Sequence, residues 1–131
     1  RITIMLSGVS WNNSDELVVQ LGTSGGIVAS GYVCSAMAGG TINNTTIGLL
    51  LTITTSSSWG YTGTVTLSNM TGNVWVSSGN LTIGNASNSL RQSAGSISLG
   101  DVLTTIRLTA WNGTSTGTAT FDAGSVNILY E

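Results

Sequence analysis

Apolar and polar residues alternate along several short stretches of this chain. The clearest are Thr64-Val65-Thr66-Leu67-Ser68, Thr104-Thr105-Ile106-Arg107-Leu108-Thr109 and Val126-Asn127-Ile128-Leu129-Tyr130. A period of two sends successive side chains to opposite faces of a pleated strand, so apolar groups line one face and hydroxyls the other. Threonine suits this role, because its branched Cβ fits the pleat while its hydroxyl meets water. No segment sustains the 3.6-residue period of an amphipathic helix. The pattern predicts strands over Ile2–Ser10, Leu17–Leu21, Ile27–Cys34, Ile47–Thr54, Gly60–Ser68, Val74–Ser77, Leu81–Ile83, Ser93–Leu99, Leu103–Trp111, Thr118–Phe121 and Val126–Tyr130.

Between these runs stand residues that tolerate positive φ: Ser7-Gly8, Gly25-Gly26, Gly39-Gly40, Gly72-Asn73, Gly79-Asn80, Gly84-Asn85 and Asn112-Gly113. Asn112-Gly113 is the strongest hairpin dipeptide of the set. Proline is absent from the chain, so its turns rest on Gly and Asn. Short strands at regular spacing predict an all-β fold, an antiparallel β-sandwich (jelly-roll-like) of about ten short strands with no significant helix. Residues 1–131 read as a single β-sandwich domain without a linker or an internal repeat. The opening Arg1 reads as the start of a processed product or of a C-terminal piece of a longer chain.

Charge narrows the function. Asp, Glu, Lys and Arg make up 6% of the chain, against about 25% in ordinary soluble domains. Surface polarity must come from Ser, Thr, Asn and Gly. So little charge disfavours an isolated monomer and suits a surface buried against identical copies. Three scattered arginines in a chain of net charge −2 make no basic patch, which argues against nucleic acid as a partner. Cys34 is the single cysteine, so no internal disulfide forms, and it reads as a small buried hydrophobe. No cofactor or metal is expected, since no Cys or His cluster exists to bind one.

Catalytic inventories fail in the same way. Without His or Lys there is no Ser-His-Asp triad, Cys-His pair or Schiff base, and the chain reads as no enzyme. Only carboxylates remain: Asp15, Glu16, Asp101, Asp122 and Glu131. Asp15-Glu16 reads as a solvated strand entrance with diverging side chains, and Asp122 as a turn residue capping its own backbone. Sequons at Asn12, Asn43, Asn44, Asn69, Asn80, Asn85 and Asn112 are expected by chance in so hydroxyl-rich a chain.

Binding candidates are therefore aromatic. Trp11, Trp59 and Trp111 adjoin predicted loops, where a ring can stay exposed, and Trp75 between two valines can face either way. Glycan-binding candidates are Trp59 with Tyr61 around Gly60, and Trp111 with Asn112. A ring stacks on a pyranose face while amides and hydroxyls bond sugar hydroxyls. The competing reading places all four tryptophans in the core or in subunit interfaces.

The terminal string Phe121-Asp122-Ala123-Gly124-Ser125-Val126-Asn127-Ile128-Leu129-Tyr130-Glu131, with Arg107 and Trp111-Asn112-Gly113 before it, resembles the carboxy-terminal domain of tailed-bacteriophage tail fibres and tail tips. The opening Arg1-Ile2-Thr3-Ile4, through Gly8-Val9-Ser10 to Val19-Gln20-Leu21-Gly22, looks like the start of the same domain. The resemblance implies a receptor-binding virion protein on the phage exterior, assembled as a homotrimer. Its implied partners are a bacterial surface glycan or outer-membrane receptor and other virion proteins. Two alternatives stand beside it: a purely structural module, such as a head decoration or fibre cap, and a polysaccharide depolymerase.

Overall fold

A computed structural model describes residues 1–84 and 90–131. Eleven strands run in the order β1 (Ile2–Trp11), β2 (Glu16–Thr23), β3 (Gly26–Ile27), β4 (Val33–Ala38), β5 (Thr41–Asn44), β6 (Leu49–Thr52), β7 (Tyr61–Thr71), β8 (Val74–Ile83), β9 (Arg91–Ser98), β10 (Thr105–Trp111) and β11 (Phe121–Tyr130). All pairings are antiparallel, and the described residues include no helix. Seven strands form one sheet in the order β11-β1-β7-β8-β9-β4-β5. The second sheet has four strands, with β10 along one edge of β2 and both β3 and β6 along the other. The arrangement is β-sandwich-like.

The core lies where alternation put it. Ile2, Ile4 and Leu6 of β1, Val65 and Leu67 of β7, and Leu81 and Ile83 of β8 are buried. Each such side chain contributes roughly 1.5–3 kcal/mol by leaving water. Strand β2 is buried on both faces, as a near-continuous apolar run requires. Its one intruder is Gln20, fully buried yet satisfied: Nε2 donates to the Ile47 carbonyl at 2.7 Å, and Oε1 accepts from the Arg107 guanidinium.

Predicted turns hold at Gly39-Gly40, Gly72-Asn73 and Asn112-Gly113, and the β2–β3 reversal at Ser24-Gly25 overlaps the predicted Gly25-Gly26. Gly39-Gly40, with φ of 54° and 88°, closes the two-residue β4–β5 hairpin in the twist that adjacent strands need. Gly72-Asn73 closes β7–β8 with positive φ, 54°, at Gly72 alone.

Others fail because the glycine serves a close approach or a bulge instead of a reversal. Gly79 sits mid-strand between Val65 and Ser93, where a Cβ would lie 2.9 Å from the side chains of both. The predicted strands Val74–Ser77 and Leu81–Ile83 are therefore one strand, β8. Gly8 carries a bulge inside β1, and no turn falls at Ser7-Gly8. Gly124 (φ 87°) packs onto that bulge, and Asp122 has no counterpart on β1. The final strand thus runs unbroken from Phe121, and Asp122, read above as a turn residue, lies in a bulge within it.

The predicted strand Ile27–Cys34 is split, because residues 28–32 pass from one sheet to the other. There the Tyr32 hydroxyl bonds to the Leu21 N–H at 2.7 Å and the Val28 carbonyl at 2.9 Å. Strand β5 was not predicted; Thr41-Ile42-Asn43-Asn44 is too short and too polar to show an alternation. The predicted turn at Gly84-Asn85 and the Asn85 sequon reach outside the described residues.

Candidate functional site

The turn between β1 and β2 is built by its own amides. Asn13 Oδ1 accepts from the Asp15 N–H at 2.9 Å, and Asn13 Nδ2 donates to Asp15 Oδ2 at 3.0 Å, an Asx turn that fixes the carboxylate. Asp15 then gathers the surrounding chain. Its Oδ2 accepts from the Thr118 N–H, and its backbone carbonyl accepts from Trp11 Nε1 at 2.7 Å and Thr55 Oγ1 at 2.9 Å. A second polar loop follows β10. Asn112 Oδ1 accepts from the N–H groups of Thr114 and Ser115 at 3.1 and 3.0 Å, while Gly113 takes φ 98°.

These loops wall a pocket of about 220 Å³ lined by Ser14, Asp15, Glu16, Asn43, Trp111 and Asn112. Glu16, paired with Trp111 across β2 and β10, is half-buried, and its Oε2 is sealed from water with no hydrogen-bond partner. Burial raises its carboxyl above the ordinary 4.5, opposed by bonds from the Thr54 backbone and the Asn43 side chain. Thr54 stands in the left-handed region at φ 54°, the one non-glycine residue to do so among those described. Its carbonyl accepts from Arg91 Nη2 at 3.3 Å, which ties this strained residue to a buried arginine.

The solvated-edge reading of Asp15-Glu16 is therefore corrected. Both carboxylates line one pocket, and Asp15 organises the loops around it. Asp101 and Asp122 are engaged elsewhere, with the hydroxyls of Ser24 and Ser10. No group of three metal-ligating side chains occurs among the described residues.

Two of the nominated aromatics are also corrected. Tyr61 is fully buried, stacked on Trp11 with ring centroids 4.9 Å apart, and Trp111 is 6% exposed in the same core. Tyr61 is not among the residues lining the pocket, and Trp111 borders it with little of its ring exposed. Loop proximity misled because strand ends fold inward here, and the large ring fills the sandwich end while the next residue turns out. Burial also lifts the Tyr61 hydroxyl to about 12. Trp59 is half-buried, with the Arg91 guanidinium 5.9 Å from its ring centroid. Asn112 is exposed at the pocket rim. Sequence reasoning missed Ser14, Glu16 and Asn43. The polar run Asn12-Asn13-Ser14-Asp15-Glu16 was the visible signal for the first two, whereas Asn43 reaches the pocket only through the fold.

No protein-family model matches the chain, and no curated protein or solved structure matches it either.

A pH dependence follows from Glu16. With its folded-state value raised, the folded chain holds this proton more tightly than the unfolded chain does. The resulting stabilisation is complete below about pH 4.5 and is lost as pH rises through the folded value. Glu16→Gln is expected to flatten the fall in melting temperature between pH 4.5 and neutrality. Superimposable pH profiles for parent and variant would rule this out.

Proposed function

We propose that this chain is a non-enzymatic attachment domain of a virion tail fibre or tail tip, holding a neutral region of a bacterial surface glycan in the pocket between Glu16 and Asn112. The observation that carries the reading is the pocket's chemistry. Two carboxylates, two side-chain amides and a serine hydroxyl meet in one small concavity of a protein otherwise nearly free of charge. Sugar hydroxyls both donate and accept, and such a mixed lining answers them. Of the rings first nominated, Trp111 borders this pocket as part of its wall, whereas Trp59 stands apart beside Arg91. The chain's repeated crossings between its two sheets support a jelly-roll-like wiring of the sandwich, which we propose with the function.

Each neutral hydrogen bond is worth ~1 kcal/mol net, so losing one amide weakens binding roughly five- to tenfold. Asn43→Ala and Asn112→Ala are expected to do so on an array of bacterial lipopolysaccharide and capsular oligosaccharides, with melting temperature little changed. No binding by the parent chain, or equal binding by both variants, would leave a structural module, the role the buried Trp11, Tyr61 and Trp111 suit. Two carboxylates in one pocket favour a second reading, a polysaccharide depolymerase. Release of new reducing ends, abolished by Glu16→Gln while binding persists, would establish it.

A further inference from the structure

The seven-stranded sheet outruns the sheet packed on it, and the overhang is β11. Val126, Ile128 and Tyr130 pair with the buried Leu6, Ile4 and Ile2, so they occupy the core face. Yet Val126 is 45% and Tyr130 68% exposed, because the opposing sheet stops at β10. Two open grooves run along the gap, one between Val126 and Leu108 and one between Tyr130 and Ile106. The strand is also a sheet edge. The Glu131 N–H bonds back to the Arg1 carbonyl just before β1, so odd-numbered residues of the regular stretch point their backbone inward and even-numbered ones outward. In agreement, the Ile128 N–H finds no carbonyl on β1 and takes the Asn127 side chain at 2.9 Å. A long apolar edge of this kind invites pairing unless something covers it.

We infer that β11 pairs antiparallel with β11 of a second copy, about a two-fold axis through Asn127. The self-match identifies the occupant. In this register Val126 faces Ile128 of the second copy, both with backbone groups pointing outward as hydrogen-bonded pairs require. Leu129 faces Ser125, and Tyr130 lies beside Gly124, which has no side chain to obstruct the ring. From Ala123 to Tyr130 the strand carries no charge, so no like charges meet. A slip of two residues would set Tyr130 against the Asp122 carboxylate. Asn127, opposite its own copy, exchanges its local bond for one across the axis.

A two-fold normal to the sheet keeps both four-stranded sheets on the same side. The two β10 strands then wall in the overhang, and Leu108, Ile106 and their copies close over Val126, Ile128 and Tyr130. This adds side-chain burial to the ladder, as a stable interface of ~800 Å² per partner needs. That area is about one-eighth of the chain's 6254 Å² surface. The inference concerns the sheet edge and stands apart from the glycan reading. It replaces the three-fold assembly implied by resemblance with a two-fold one.

Mass photometry or sedimentation of the purified chain at micromolar concentration should give twice its 13.3 kDa. Val126→Lys should give the single-chain mass with the same β circular dichroism. Non-hydrogen-bonded partners in an antiparallel pair stand ~4.5 Å apart between Cα atoms, within disulfide range. Asn127→Cys should therefore oxidise to a covalent dimer, and Leu129→Cys should not. A parent chain of one or three copies overturns the proposal. So does a dimer that survives Val126→Lys or crosslinks no better through position 127 than through 129.

Discussion

Trp11→Ala is expected to melt roughly 10–20 °C below the parent chain, a loss of ~3–5 kcal/mol. Trp11 is 1% exposed and closes one end of the sandwich. Its ring stacks on Tyr61 at 4.9 Å and meets Phe121 edge-on at 6.2 Å. Removing it leaves a cavity bounded by strands of the ladder, which cannot collapse without breaking pairing. It also removes the indole N–H that holds the Asp15 carbonyl, so the pocket loop loses one of its anchors. Thermal denaturation followed by circular dichroism measures the effect. A loss below ~1 kcal/mol would mean that the aromatic cluster is not the support described here. Trp111→Ala should behave similarly, since its ring is core and not a binding platform.

Gly63→Ala is expected to be as damaging, at ~4 kcal/mol or more, or to prevent folding. Gly63 lies in β7 with φ 151°, between Leu6 of β1 and Leu81 of β8. A Cβ there would stand 2.1 Å from the Asn80 carbonyl oxygen and 2.9 Å from the Leu81 Cα. Both obstacles are backbone, so relief requires separating β7 from β8. Gly79→Ala supplies the comparison. Its Cβ would meet the side chains of Val65 and Ser93 at 2.9 Å and the Thr64 carbonyl only at 3.4 Å. Side chains give way more cheaply than a ladder does. Urea unfolding of the two variants should show the larger loss at Gly63; the reverse order would contradict the assigned register.

Much of the fold was legible before the structure, and the exceptions share a cause. Strands β1, β2, β7 and β9 lie within a few residues of the positions that alternation assigned. Alternation reports a local fact, that one face of a strand is buried, and needs no knowledge of the neighbour. Glycine is ambiguous in the same local view, because reversal and close approach both demand a missing side chain. At Gly39-Gly40 the chain reverses, at Gly79 a neighbouring strand comes close, and at Gly124 a bulge fits a bulge. Only the pairing partner distinguishes these cases.

The candidate site divides along the same line. Asn112-Gly113 was readable as a polar turn from its own residues. Glu16, Asn43 and Asn112 meet only because β2, β5 and the end of β10 converge, and no local pattern encodes that convergence. The aromatics show it most plainly. Trp111 and Asn112 are adjacent in the chain, yet one is core and the other rim, since the last strand residue points into the sandwich. The amino-acid sequence by itself determined the all-β class, the scarcity of charge and the missing catalytic groups, because these depend on composition and on a two-residue period. Tertiary structure alone decided which glycines turn the chain, which rings are buried and which carboxylates share a pocket. It also decided that β11 overhangs its sandwich, because each of these depends on what long-range strand pairing brings alongside.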